Sequence, residues 1–394
     1  MLSCLIICRE EPEVIREIIT FLKDIQDEPP IDATTGLVGI ESQVNEVKKI
    51  LSIEPSDVHF IGIWGMSGIG KTTLARVVYD NIRKGTQKDE FHRFCFIENI
   101  KDISKEDNTK LYKVQQKLLV KILNDESIHL GGVSEGQTML ERKLRGMKVF
   151  IVLDDVNHLD QLTYLAGRRE WFGPGSRIIV TTTNVDLLNR HKIINEVYRC
   201  EGLKGDEALR LFWQSAFKGD PTDGYRKLST DIVKLADGLP LALNVYGSIL
   251  YGKTESYWKE MLKKLGDYPH EDVLKKLEIV YNKLDREQRN TFIYIACFLK
   301  GRNEVLVKDI LTNIGLYSEC GVTDLQNRSL ITINHDDSVW MHDLLQLMCW
   351  EVLHKESERY DERFIAIKNR KDVEVILSLK PEVCIILLNN LYML

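Results

Sequence analysis

The sequence lacks three features that would each place it in a class at once: a C-x-x-C cysteine pair, a basic surplus and a long apolar run. Its eight cysteines are scattered over 394 residues, which is typical of reduced, mostly buried thiols in a cytosolic compartment. The 53 Lys+Arg against 59 Asp+Glu give a net charge of −6. Dedicated nucleic-acid binders usually carry a strong basic surplus, so we expect no nucleic-acid partner.

Neither end of the sequence carries a recognisable targeting signal. The apolar segment Leu2–Cys8 is short, has no basic residue before it and runs directly into charged residues, unlike a secretory signal. The apolar tail Val383–Leu394 is too short to span a bilayer. We expect a soluble chain without a membrane span, whose ends are cut or spliced within a larger architecture.

Apolar periodicity changes along the chain. Helical spacing predicts a helix over Glu13–Gln26 and a second over Glu41–Leu51. From residue 57 apolar strands alternate with helices, which predicts an α/β fold with a doubly wound parallel sheet covered on both faces. The unbroken run VFIVL is expected of a central strand. The predicted strands are Val58–Trp64, Phe94–Glu98, Lys148–Leu153, Arg177–Thr182 and Glu196–Cys200, and the predicted helices are Thr72–Arg83, Lys110–Asn124, Glu135–Arg145 and His158–Leu165.

After Gly202 the strand signal fades and helical patterns continue to about Tyr281. Two further helices, Leu284–Leu299 and Asp324–Ser329, precede a predicted hairpin and a helix over Leu344–Leu353. This order predicts a helical subdomain followed by a winged-helix subdomain. The predicted parts are a linker helix (1–36), a P-loop domain (37–201), a helical subdomain (202–280), a winged-helix subdomain (281–355) and an extension (356–394).

Residues 65–72 (GMSGIGKT) match the phosphate-loop pattern G-x-x-x-x-G-K-[ST] between an apolar strand and a predicted helix. Glycines let the backbone turn so that its N–H groups point at phosphates, and the helix start adds anion affinity. We expect Lys71 to reach the β- and γ-phosphates and Thr72 to bind Mg²⁺. The alternative is a chance glycine-rich turn. The candidate nucleotide-binding residues of this segment are Gly68, Ile69, Gly70, Lys71, Thr72 and Thr73.

Two carboxylates, Asp154 and Asp155, follow the apolar strand Lys148–Leu153. At a strand end beside a phosphate loop, Asp154 is expected to hold Mg²⁺ and Asp155 to orient an attacking water. The alternative is a solvated strand-end turn, where Asp is common. The strand and its spacing from the loop favour the Mg²⁺–nucleotide site.

Read together, the motifs resemble the NB-ARC class of STAND ATPases, the nucleotide-binding module of plant intracellular immune receptors that is shared with the animal apoptosome scaffold. The resemblance covers Leu37 to about Trp350. Its blocks occur in family order: GMSGIGKTT, FCFIENI, KVFIVLDDV, GSRIIVTT, EALRLFWQSAF, GLPLAL, FIYIACFLKG and MHDLL. The segment Phe96–Asn99 and Asn157 resemble the branch that normally carries an N-terminal TIR domain. The TIR and leucine-rich repeat domains are expected to be absent, and NAD hydrolysis with them.

The resemblance implies roles for residues outside the loop. Leu37 and Val38 would border the adenine, Pro240 would pack near the base, and His342 would reach the β-phosphate of ADP from the winged-helix subdomain. By itself, Pro240 also fits an ordinary helix-start proline, and His342 an ordinary surface residue.

One position departs from the family pattern. The fourth strand usually ends in T-T-R, whereas here Thr183 stands where the arginine would sense the γ-phosphate. A short neutral side chain offers no charged fork of donors. This puts ATP sensing and hydrolysis in doubt, while ADP binding is expected to survive.

The resemblance implies an ADP/ATP switch in cytoplasmic defence signalling, with the nucleus as an alternative location. ADP and Mg²⁺ would hold the subdomains closed, and ATP would permit assembly with itself or with other receptor chains. Two alternatives stay open: an adaptor or decoy that pairs with full-length receptors, and a slow turnover ATPase.

Overall fold

The computed structural model describes residues 39–52, 56–85, 88–104, 110–217, 221 and 223–359. The predicted helix Glu13–Gln26, Val38 and most of the predicted extension lie outside the described residues. None of the helices in the described ranges combines the length and the apolar character that a membrane span needs.

Five parallel strands form the sheet of the first part, in the order β2-β3-β4-β1-β5. The predicted α/β fold is therefore confirmed. The strand with the apolar run, β3, is buried along its length and paired on both sides, while β4 is the middle strand. The strands are β1 (His59–Trp64), β2 (Arg93–Ile97), β3 (Val149–Leu153), β4 (Arg177–Thr182) and β5 (Glu196–Arg199).

Helices cover both faces of this sheet because successive residues of each strand point to opposite sides. Ile61 and Ile63 pack towards the first two helices, and Phe60 packs with the helices of the other face. Two separate apolar cores result, as a doubly wound sheet requires. The helices are α1 (Glu41–Leu51), α2 (Lys71–Lys84), α3 (Ile100–Ile103), α4 (Leu111–Leu123), α5 (Val133–Leu144), α6 (Leu159–Ala166) and α7 (Val185–Arg190).

A helical region follows the sheet and shares the core of the α1–α2 face. Its own centre is aromatic, with the rings of Phe212 and Trp258 in edge contact at 5.8 Å and Tyr246 fully buried. The helices are α8 (Gly205–Phe217), α9 (Asp223–Ala236), α10 (Pro240–Leu250), α11 (Glu255–Asp267) and α12 (Glu271–Tyr281).

The last region has the predicted winged-helix order. The helix predicted over Leu284–Leu299 is α-helical only to Tyr294 and continues as a π-helical turn. The helix predicted from Asp324 begins earlier, at Ser318, where Gly321 allows close approach to Thr291. The elements are α13 (Arg286–Tyr294), α14 (Glu304–Asn313), α15 (Ser318–Asn327), β6 (Thr332–Ile333), β7 (Val339–Trp340) and α16 (Asp343–Arg359).

Candidate nucleotide-binding site

The glycine-rich loop connects the end of β1 to the start of α2. Gly65, Gly68 and Gly70 have φ values of +154°, +80° and +100°, a backbone region that strains other residues. Gly70 directly precedes α2, whose first turn carries no acidic side chain. The N–H groups and the positive end of the helix dipole therefore offer a site for an anion.

Lys71 is buried at the base of this loop. Its Nζ donates hydrogen bonds of 2.9 Å to the carbonyls of Gly65 and Met66. Burial lowers the pKa of Lys71 to about 8, because leaving water disfavours the charged form. An anion beside the ammonium would offset this desolvation cost, so the site favours phosphate.

Asp154 lies where β3 ends and is almost fully buried. Its Oδ1 accepts hydrogen bonds from Thr72 Oγ1 at 2.8 Å and Thr181 Oγ1 at 2.6 Å. Burial raises its pKa, although these two bonds oppose the shift. Its Oδ2 is buried and has no hydrogen-bond partner among the described residues. An unpaired carboxylate oxygen beside a threonine hydroxyl fits Mg²⁺, which prefers oxygen ligands.

The side chain of Asp155 has different surroundings from that of Asp154. Its backbone is left-handed, with φ of +55°, and its N–H donates to Thr181 Oγ1 at 2.9 Å. Its partly exposed Oδ2 lies 3.5 Å from Lys101 Nζ. The two adjacent carboxylates therefore have different environments, one turned to the phosphate loop and one to a surface lysine.

A cavity of about 830 Å³ lies beside the loop, and we call it the central cavity. All three parts of the structure contribute to its wall. Apolar and polar side chains both line it, and the charged ones are Arg199, Glu201, Lys204, Lys234 and Asp237. The wall residues include Met66, Ile69, Arg199, Leu203, Ala208, Val233, Asp237, Leu330, Ile331, Trp340 and His342.

The start of α10 contacts the glycine-rich loop from the helical region. Leu241 N–H donates to the Gly68 carbonyl at 3.2 Å. Pro240 occupies the first turn of α10, and its Cγ lies 3.9 Å from the place where a Cβ on Gly70 would stand. Proline suits this position because the first helical N–H has no partner within the helix. The segment around Pro240 is thus packed directly against the loop.

His342 approaches the central cavity from the winged-helix region and is 5% exposed. Its Nδ1 accepts the Leu344 N–H at 3.2 Å, so the ring proton is assigned to Nε2. Nε2 then donates to the Asp237 carbonyl at 3.1 Å. Burial lowers the pKa of His342 and raises that of Asp237. His342 is therefore a neutral donor whose direction is fixed by the start of α16.

Two more hydrogen bonds connect the winged-helix region to the sheet. Ser329 Oγ donates to the Thr183 carbonyl at 3.3 Å. Arg199 donates from Nη2 to Thr332 Oγ1 at 2.9 Å, with its guanidinium 5.6 Å from the Trp64 ring centre. The C-terminal ends of β4 and β5 therefore both contact the winged-helix region.

Most residues predicted for the site are close together. The loop residues run directly into Thr73, which is exposed in the first turn of α2, and Asp154 is joined to them through the hydrogen bond from Thr72. Pro240 contacts the loop and His342 lines the central cavity. Four further residues of the site were not predicted from the sequence: Thr181, Arg199, Asp237 and Leu241. Only the polar residues at the strand ends and the turn before Pro240 indicated them.

Comparisons with known families agree with this geometry. Residues 40–221 match the NB-ARC domain family, and residues 285–357 match the winged-helix domain of Roq1-like disease resistance proteins. Disease resistance protein RPV1 of Vitis rotundifolia is 41% identical over 327 residues, which are 82% of this chain and 23% of RPV1. TMV resistance protein N of Nicotiana glutinosa is 32% identical over 373 residues, 94% of this chain and 32% of that protein.

The chain thus spans about a quarter to a third of the length of these relatives. Two solved structures share its fold at low identity. A Walker-type ATPase of Pyrococcus abyssi has a TM-score of 0.51 at 13% identity, over 78% of this chain and 95% of the other. The Aeropyrum pernix ORC2 protein, solved as ADPNP–ADP complexes, has a TM-score of 0.50 at 14% identity, over 81% and 94%. The chain therefore belongs to the NB-ARC family of plant disease resistance proteins, whose NB-ARC domain binds nucleotide.

Proposed function

We propose that this chain is the ADP/ATP-binding switch core of a plant immune receptor that acts in defence signalling in the cytoplasm. The observation that carries the proposal is one cavity walled by three regions, with a phosphate loop on one side and a histidine donor on the other. We propose residues 37–201, 202–280 and 281–355 as the three moving parts.

In this proposal the loop holds the phosphates. The N–H groups of Gly68, Ile69, Gly70 and Thr73 and the buried ammonium of Lys71 would surround them, because hydrogen bonds between a charged group and a phosphate are the strong ones. Thr72 and the Oδ2 of Asp154, which has no hydrogen-bond partner among the described residues, would hold Mg²⁺. When bound, the ion supplies positive charge beside the phosphates.

The other end of the nucleotide would meet the apolar part of the central cavity. Met66, Leu203 and Leu330 offer it apolar surface, Pro240 lies beside the loop, and Val38 remains an expectation from the family. His342 would exchange the Asp237 carbonyl for a phosphate oxygen of ADP. That contact favours the closed arrangement, because it exists only when all three parts meet.

Exchange of ADP for ATP would release the winged-helix part and permit assembly with a second copy or another receptor chain. A shift from mostly closed to mostly open needs about 5 kcal/mol of differential binding. Hydrolysis would be slow, because Lys101 holds the side chain of Asp155, the proposed water-orienting carboxylate. The neutral Thr183 favours a second candidate, an adaptor that retains ADP and pairs with other receptors.

The nucleotide carried by purified protein tests the proposal. We expect heat-released ADP at close to one equivalent in the wild type, and none in Lys71→Ala. Lys84→Ala is the matched control, because Lys84 is exposed at the far end of the same helix. An empty wild-type protein that also fails to bind added ADP or ATP would refute the proposal. Size exclusion with each nucleotide separates the candidates, since only the switch assembles with ATP.

A further inference from the structure

The central cavity contains a cation that the proposed nucleotide contacts do not use. Arg199 supplies a guanidinium to the cavity wall. It is the last residue of β5 and stands opposite Trp64 in the parallel pairing with β1. Since Trp64 directly precedes the glycine-rich loop, the guanidinium belongs to a residue beside the phosphate-binding segment.

Arg199 is poorly matched by its present partner. Its side chain is exposed, and its hydrogen bond goes to the neutral hydroxyl of Thr332. No ion pair between Arg199 and a carboxylate within 4 Å occurs among the described residues. A guanidinium forms its strongest bonds with carboxylate or phosphate, which accept its planar fork of donors. The Thr332 hydroxyl is therefore a partner that an anion would displace.

The neighbouring strand end strengthens this argument. Thr183 follows β4 and carries no charge, and its carbonyl accepts a hydrogen bond from Ser329. The ends of β4 and β5 thus both contact the winged-helix region, one through a neutral backbone group and one through a cation. The only fixed charge offered by these two contacts is the one on Arg199.

We propose that Arg199 contacts a phosphate oxygen of the bound nucleotide and that this contact replaces its hydrogen bond to Thr332. The inference rests on the proposed nucleotide site and adds a second role for the ligand. Phosphate binding would withdraw Arg199 from the β6–β7 hairpin and so remove one contact of the winged-helix region with the sheet, while the contact of His342 with ADP keeps that region closed. Arg199 would then couple the charge of the ligand to the position of that region.

Two substitutions have opposite expected effects on nucleotide affinity. Arg199→Gln removes the phosphate contact, so the Kd values for Mg-ADP and Mg-ATP rise about tenfold, as loss of a charge-assisted hydrogen bond implies. Arg199→Lys keeps the charge and recovers part of this loss. Thr332→Val frees the guanidinium from its competitor, so both Kd values fall about twofold.

A purely structural role for Arg199 predicts another pattern. If the arginine only holds Thr332, Arg199→Gln and Thr332→Val shift both affinities in the same direction, and that result overturns the inference. Arg190→Gln is the control, because Arg190 is an exposed arginine on α7 that pairs with Asp186 away from the cavity wall. It should leave both Kd values unchanged.

Isothermal titration with ADP and ATP separates failure of this inference from failure of the proposed function. If the wild type binds and Lys71→Ala does not, the nucleotide site stands. Unchanged affinities in Arg199→Gln then overturn the role of Arg199 alone. Absence of binding in the wild type overturns both.

Discussion

The two walls of the central cavity are built in different ways. The loop wall, which gives Gly65, Met66 and Ile69 to the cavity, belongs to a segment that is continuous in sequence to Thr72 and is tied to Asp154 at the end of a strand of the parallel sheet. The winged-helix wall shares an apolar core with the helical region, and the polar groups through which it meets the sheet and the cavity are single contacts made by Ser329, Thr332 and His342. A wall made of adjacent residues keeps its shape, whereas a wall held by separate hydrogen bonds moves when a few of them are exchanged.

The two walls therefore suit different functions. Burial at the loop wall favours binding of a charged ligand, because it lowers the pKa of Lys71 and leaves one oxygen of Asp154 without a hydrogen-bond partner among the described residues. Each of the three polar contacts of the opposite wall is a hydrogen bond to a carbonyl or hydroxyl, and each contributes only about 1 kcal/mol. The first wall suits binding and the second suits switching.

The largest expected effect comes from the place where the loop wall meets the helical region. Gly68→Ala puts a Cβ 2.8 Å from Leu241 Cβ, at a φ of +80°. Overpacking and left-handed strain together should reduce the free energy of unfolding by about 3 kcal/mol and abolish ADP binding. Urea unfolding and calorimetry measure both.

Gly146→Ala is the matched control for that substitution. Gly146 has a φ of +81°, yet its Cβ would have no neighbour within 4 Å. We expect it to cost about 1 kcal/mol, the strain of the left-handed backbone alone, and to leave ADP binding intact. Equal costs for the two variants would show that the contact with Leu241 is unimportant.

A smaller effect is expected at the metal position of the loop wall. Asp154→Asn keeps an oxygen for Thr72 and Thr181 but removes the charge, so Mg²⁺ should no longer increase nucleotide affinity, a loss of about 2 kcal/mol. Because the folded-state pKa of Asp154 is raised, the charge reduces stability at neutral pH. The variant without nucleotide should therefore be at least as stable as the wild type.

Asp155→Asn provides the comparison, since that side chain faces Lys101 and not the loop. Titrations of ADP with and without Mg²⁺ should keep the metal effect in this variant. If both variants keep it, Asp154 is not the metal ligand.

On the opposite wall, two substitutions of His342 separate its two hydrogen bonds. His342→Ala removes the bond to Asp237 and the acceptor for Leu344 N–H. We expect about tenfold faster ADP release and about 1 kcal/mol lower stability. His342→Asn should restore the stability, because Asn is a good helix N-cap, but not ADP retention. Stopped-flow release and thermal unfolding check this, and equal ADP retention in all three proteins would contradict it.

The smallest expected effect concerns the stability of the sheet domain in acid. His191 is buried in the sheet domain, and burial lowers its folded-state pKa below the ordinary value of 6.5. The unfolded state then binds the proton more strongly, so the stability contribution is complete above pH 6.5 and is lost as pH falls below it. We expect a loss below about 1 kcal/mol at pH 5.5. Unfolding of His191→Gln at pH 7.5 and 5.5 should show a smaller pH dependence than the wild type, and an identical dependence would contradict this assignment.

Much of the architecture follows from local patterns. The alternation of apolar strands and helices predicted the parallel sheet because each strand needs a helix to cross back over it. The α1 helix was predicted with the bounds that the structure shows, Glu41–Leu51. The errors lie where tertiary contacts override propensity, as at Ser318, where α15 starts two turns before the apolar pattern becomes clear.

The candidate site divides in the same way. The roles proposed for Lys71 and Thr72 rest on consecutive residues, since a glycine-rich turn between a strand and a helix is the local context that the phosphate-loop motif requires. The turn of Asp155 towards Lys101 was not predictable, because it depends on a left-handed backbone. The family resemblance drew attention to His342, but not to its bond with Asp237.

By itself, the sequence determined the α/β sheet, the phosphate loop and the helical and winged-helix parts, because periodicity and turn chemistry act over a few residues. Only the tertiary structure decided which distant groups meet across the cavity. Arg199 and Thr332 are 133 residues apart, and Asp237 and His342 are 105 apart. Such pairs depend on how whole regions dock, and a hydrogen bond tolerates errors of only a few tenths of an ångström.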